Sequence, residues 1–129
     1  MEASTPRLAP DLQVVQAYRP GGFTVSAVRF SGSVMVFPDH ALAWAPSAPA
    51  DIDLACLEPL RAATPVPDLL VVGMGPGFVP FPAELRLAVR DWGIVVEAMA
   101  TPAACRTYNL LIAEGRRVAA ALLAMPPAA

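Results

Sequence analysis

The sequence predicts an α/β (α+β) domain in which an N-terminal antiparallel meander is followed by a C-terminal βαβα unit, built around a mixed sheet. Three observations predict it. Short β-rich runs between Val14 and Phe37 are punctuated by turn residues. Asp68-Leu-Leu-Val-Val-Gly73 is a continuous apolar run of strand length. A helical pattern then separates it from a second β run opening at Ile94. The 129 residues are the usual size of one domain, taken here as 1–129, and 56% hydrophobic against 16% charged residues is enough apolar surface for one core.

The elements follow in order. Met1 to about Leu12 is polar and proline-punctuated, as is Met125 to Ala129, so both are expected to be flexible tails around an ordered core of about 10–123. Val14-Val-Gln-Ala-Tyr18, Phe23-Thr-Val-Ser-Ala-Val-Arg-Phe30 and Ser33-Val-Met-Val-Phe37 read as three strands, separated by Pro20-Gly21-Gly22 and Ser31-Gly32. In the middle run Phe23, Val25 and Ala27 share one face. Pro38 stops the third run, and a short strand is expected from Ala41 to Ala45, next to Trp44. Asp53 opens a short helix to about Ala63, with Pro59 in its first turn or at a kink.

The second half has a clearer rhythm. Asp68 to Gly73 suits a strand buried on both faces. Pro82 to Trp92 reads as a helix, with Leu85 and Val89 four apart and Gly93 at its stop. Strand, helix and strand in succession imply a parallel pair, since an antiparallel pair needs no helix-length connection. Thr101-Pro102 supplies an N-cap and a proline at the first helical position, opening a helix expected to run to about Leu123. Its apolar stripe is Ala104, Tyr108, Leu111, Ile112, Gly115, Val118, Ala119 and Leu122.

Composition removes several function classes. The formal net charge is −2, and the nine basic residues, all arginine, are scattered singly apart from Arg116 and Arg117. No basic stripe offers a phosphate-backbone footprint, so nucleic acid is not an expected partner. Cys56 and Cys105 are too few and too distant for a disulfide framework or thiolate cage, which fits a reduced intracellular compartment. The N-terminus has neither the basic start nor the apolar run of a secretion signal, and no apolar run approaches the roughly 20 residues that span a bilayer. A cytoplasmic protein, not embedded in a membrane, is the expectation.

Two local features carry chemistry. Gly73-Met74-Gly75-Pro76-Gly77 follows a buried strand, where nucleotide-binding folds present backbone amides to phosphate. The fingerprint is incomplete: Phe78 stands where a third glycine belongs, and the helix begins only near Pro82. A turn needing positive φ and close backbone approach is therefore favoured over an anion site. The second feature is the stretch Thr101 to Arg117, in which Cys105, Asn109, Ile112 and Arg116 share one face of the expected helix. Because both parallel strands end at one edge, the glycine loop and this helix start should meet there. Gly73, Gly75, Thr101, Arg106, Asn109 and Arg116 are thus the candidate ligand-binding residues, set against the plainer reading that these polar groups tie loops down. Cys105 near a helix N-terminus and His40, the sole histidine, are considered as a nucleophile and base, but one Cys and one His do not make a dyad unless they meet; a small buried thiol and a turn histidine are favoured, and no catalytic residue is assigned. No metal set and no cofactor are expected. Trp44, Tyr18 and Phe78 are read as core residues ahead of an exposed aromatic patch.

Five blocks taken together resemble a known family. They are Tyr18-Arg-Pro-Gly-Gly-Phe23-Thr-Val, Ser31-Gly-Ser-Val-Met-Val-Phe-Pro38 with Trp44 beyond it, Asp68 to Gly75, Gly93-Ile-Val-Val-Glu97-Ala-Met99-Ala-Thr101, and Ala104-Cys105-Arg106-Thr107-Tyr108-Asn109 continuing to Val118. In order and spacing they resemble the domain-of-unknown-function family that includes mitochondrial respiratory complex I assembly factor 3 and its bacterial and archaeal relatives, from about Pro10 to Leu123. The resemblance implies a three-layer β/β/α fold. It also implies a noncatalytic interaction or assembly role with protein partners, respiratory or membrane-complex subunits among them, in a bacterial cytoplasmic member. A homodimer is one expected way to cover sheet edges. The alternative is a small anionic-ligand binder or enzyme using Gly73 to Phe78 and the start of the C-terminal helix.

Overall fold

The structure is a computed structural model that describes residues 12–127. The residues 1–11 and 128–129, on which the expected tails largely fall, lie outside the described residues. Strands β1 (Val15–Arg19), β2 (Gly22–Val25) and β3 (Val28–Ser31) form a small antiparallel sheet in the order β1-β2-β3. Strands β4 (Ser33–Val36) and β5 (Ala41–Trp44) lead through helix α1 (Glu58–Ala62) to β6 (Leu69–Gly73), α2 (Ala83–Arg90), β7 (Val95–Met99), α3 (Thr101–Ala113) and β8 (Val118–Leu122). The larger sheet has the order β5-β4-β8-β6-β7. It is mixed: β6 runs parallel to both β7 and β8, whereas β4 is antiparallel to β5 and β8.

Period-two alternation assigns the two faces of the large sheet. Leu70, Val72, Met35, Ala119 and Ala121 point into a core with Leu57, Leu60, Val89 and Ile94, from the side of α1 and α2. Val71, Val34, Val36, Ala120 and Leu122 point the other way, onto Ala104, Tyr108 and Ile112 of α3 and onto Val15, Phe23 and Val25 of the small sheet. The expected mixed α+β fold is therefore present. Small sheet, large sheet and helices are layered, with α3 beside the small sheet and α1 and α2 on the far face.

Three sequence expectations need correcting. The run Phe23 to Phe30 is two strands, because Ser26 and Ala27 both take positive φ (46° and 72°) and turn the chain back as a two-residue hairpin between Val25 and Val28. Neighbouring chain holds the turn. Ser26 N–H donates to Val14 O at 2.9 Å, Val14 N–H donates to Ser26 Oγ at 3.1 Å, and Ala27 N–H donates to Gln16 Oε1 at 2.7 Å. Gln16 is available because β1 bulges between Val15 and Ala17.

The second correction is the C-terminal helix, which ends at Ala113 rather than near Leu123. Gly115 adopts φ 79°, and Gly115 and Arg116 donate back to Ile112 and Leu111, closing the helix end. Val118 to Leu122 is then the central strand of the large sheet, buried along its whole length. Its three alanines favour helix as isolated residues, but a central position between β4 and β6 overrides that preference. The apolar stripe assigned to one helix thus belongs to a helix and a strand. Finally, the chain beyond β8 stays paired, with Leu123 N–H donating to Gly73 O and Met125 bridging Pro20.

Candidate functional site

The carboxyl ends of the three parallel strands are level, since Gly73 is in register with Met99 and with Leu122. Here the glycine loop meets the start of α3. Thr101 N–H donates to Gly75 O at 2.8 Å, Gly75 N–H donates to Thr101 Oγ1 at 2.9 Å, and that hydroxyl donates to Leu123 O at 2.8 Å. Thr101 is therefore not the helix cap, which is Ala100; it is a fully buried joint between three strand ends. Only glycine allows this approach, because a Cβ on Gly73 would lie 2.7 Å from Thr101 Oγ1 and 2.9 Å from its Cα.

The other candidate residues spread away from this joint. Asn109 faces the small sheet and pairs with the backbone of Val15 twice, its Oδ1 accepting at 2.9 Å and its Nδ2 donating to Val15 O at 2.8 Å. Arg106 is exposed on α3. Arg116 is exposed beyond Gly115, on the link that enters β8, so it lies at the amino edge of the parallel strands. A five-residue strand separates the two edges by about 13–16 Å. Gly73, Gly75 and Thr101 are brought together; Arg106, Asn109 and Arg116 are not gathered around them.

The amino edge holds a cavity of about 190 Å³ that the sequence did not disclose. Its walls are Phe37, Pro38, Ala63, Pro65, Pro67 and Val118, with Asp39, His40, Thr64 and Arg117 as the polar members. The end of β4, the link after α1 and the start of β8 supply them. His40 stacks on Phe37 with ring centroids 4.6 Å apart and planes 9° from parallel. Its Nδ1 lies 2.6 Å from Asp39 Oδ1, and that hydrogen bond holds the Asp39 carboxyl below its ordinary pKa. Phe37 N–H donates to His40 O at 2.7 Å, and Tyr108 Oη donates to Phe37 O and Gln13 O at 3.3 and 3.0 Å. Burial, with the Asp39 charge second, raises the Tyr108 phenol pKa, so the tyrosine serves as a neutral donor fixing the cavity wall.

No local motif links residues 37–40, 63–67 and 117–118. The antiparallel pairing of β4 with β8 and the parallel pairing of β6 with β8 make them neighbours, so His40 and Arg117 are legible singly in the sequence and their meeting is not. Cys105 is the buried thiol of the favoured reading: it is 4% exposed, and burial pushes its thiol up to about 11, the opposite of an activated nucleophile. Trp44 is buried as expected, and its indole N–H donates to Cys56 O. Tyr18 and Phe78 are instead exposed, Phe78 by 73%.

This two-sheet α+β architecture is shared with the solved solution structure of a Bordetella pertussis protein described as a Mth938-like domain, at 33% identity and a TM-score of 0.82, covering 93% of this chain and 90% of that one. The chain belongs to the family described as "Protein of unknown function (DUF498/DUF598)", which matches residues 15–123. It is 37% identical to an uncharacterized protein of Rhodobacter capsulatus over 114 residues, 88% of this chain and 86% of the relative. It is also 35% identical over 115 residues to NADH dehydrogenase (ubiquinone) 1 alpha subcomplex assembly factor 3 of Danio rerio, 89% of this chain but 66% of that protein. The chain thus spans about two thirds of the length of that assembly factor. Among the described residues, no helix is long and apolar enough to cross a membrane.

Proposed function

We propose that the chain is a noncatalytic, protein-binding factor that aids assembly of a membrane respiratory complex from the cytoplasmic side. The observation that carries this reading is the match to an NADH dehydrogenase assembly factor along 89% of the chain. The surface is consistent with it, because Phe78, Leu110 and Leu87 are 73%, 62% and 60% exposed, and large exposed apolar side chains suit contact with other proteins. On this reading the loop from Gly73 to Phe78 is a contact surface, its Gly75 amide already committed to Thr101. Arg106, exposed on α3, and Arg116, exposed at the opposite edge of the parallel strands, are not part of that contact surface.

Affinity capture of the tagged chain from its native organism, after mild cross-linking, tests the reading. Enrichment of NADH dehydrogenase subunits over a tag-only control is the expected result. Repeated recovery of the chain alone, or only of further copies of itself, overturns it. A thermal-shift series with nucleotides and anionic metabolites tests the alternative of an anionic ligand at Gly73, Gly75, Thr101, Arg106, Asn109 and Arg116, and on the proposed function no member raises the midpoint.

A further inference from the structure

We infer that the amino-edge cavity is a docking pocket for one apolar side chain with a carboxylate beside it, presented by a segment of a partner protein. The inference deepens the protein-binding reading and rests on it. Size is the first argument: about 190 Å³ is below the roughly 300–1,000 Å³ of pockets that take whole small molecules, and suits a single side chain. The second is wall chemistry. Phe37, Pro65 and Val118 supply apolar surface, and the parallel Phe37–His40 pair gives it a flat aromatic side.

Charge supplies the third argument. Asp39 is engaged by His40 at 2.6 Å. Arg117 comes no closer to Asp68 than 3.9 Å, beyond hydrogen-bonding distance, and its guanidinium makes no hydrogen bond among the described residues. The rim group with hydrogen bonds still to give is therefore a guanidinium fork, which meets Asp68 only as a loose ion pair and is the group best shaped to take a carboxylate through two parallel hydrogen bonds. The wall is also fixed in advance, because Pro38 O accepts from Gln13 N–H at 2.9 Å and Phe37 O accepts from Tyr108. A pocket already held open needs little ordering when it is filled.

The test is a titration of the ¹⁵N-labelled full chain with three probes: acetyl-Ala-Ala-Phe with a free carboxylate, the same peptide amidated, and N-acetylphenylalanine. The expected result is saturable shifts at the amides of Phe37, His40 and Val118, with the acid peptide binding about tenfold more tightly than the amide. Arg117→Gln should abolish the difference between acid and amide while leaving the other amide resonances in place. Equal binding of acid and amide by the unsubstituted chain, or no saturable shift with any probe, overturns the inference. N-acetylphenylalanine binding as tightly as the acid peptide identifies a free small carboxylate as the ligand and overturns the partner-segment assignment. If the cavity fails this test while respiratory subunits are still captured, the protein-binding reading stands and only the pocket assignment falls. The reverse pattern removes the partner assignment and the functional reading together.

Discussion

At Thr101 one hydroxyl accepts from Gly75 and donates to Leu123, so a single side chain ties the ends of β6, α3 and β8. Replacing it by valine keeps the shape and strands both backbone groups in a buried site. Thr101→Val is expected to cost about 2–4 kcal/mol, whereas Thr101→Ser, which keeps both bonds, costs about 1 kcal/mol. Urea unfolding reads the difference as a lowered midpoint at unchanged slope, and a valine variant no weaker than the serine one refutes the role. That the glycine loop and the helix start meet was legible, because consecutive parallel strands end at one edge. Thr101's part is not legible locally, since Thr-Pro is a capping signature and the Leu123 carbonyl that the hydroxyl meets comes from a strand end 22 residues on. Asn109 shows the limit from the other side: its partner Val15 is 94 residues away, and no local pattern encodes such a pairing.

The hairpin and the central strand are where elements departed from the sequence reading, each for a physical reason. A two-residue turn with positive φ at both positions favours Asn-Gly, and Ser26-Ala27 carries neither residue. What fixes the turn is the bulged β1, which offers Gln16 and Val14 as partners. Ala27 at φ 72° bears a steric cost of about 1–2 kcal/mol, partly offset by the extra freedom that glycine has when unfolded. Ala27→Gly should therefore stabilise the protein by about 0.5–1 kcal/mol, and a lower midpoint in thermal or urea unfolding contradicts this account. The large sheet poses a related problem at β7, its edge. Arg86 of α2 reaches over to donate from Nη1 to Val96 O at 2.6 Å, covering part of that edge. Arg86→Ala uncovers it, and sedimentation at rising concentration should then show more self-association than the parent chain does.

For the whole molecule, burial on both faces of the large sheet makes stability depend on pH chiefly at the alkaline end. Cys105 ordinarily titrates near 9.0 and is pushed to about 11 by burial. Above pH 9 the unfolded chain loses that proton first, so the neutral thiol's contribution is complete below pH 9 and disappears as pH rises through about 11. Tyr108, raised in the same direction by burial and then by the Asp39 charge, extends the loss further upward. Asp39 acts oppositely: its lowered pKa gives a contribution that is lost in acid, and its exposure keeps that contribution small. Unfolding free energies for the parent chain and Cys105→Ala, measured in steps from neutral to pH 11, isolate the thiol. The alanine variant starts less stable because it leaves a cavity, and the gap should narrow between pH 9 and 11, at a limiting slope of about 1.4 kcal/mol per pH unit. Parallel curves across that interval would mean that the thiol titrates alike in both states, and the core around α3 would then have to admit water at Cys105.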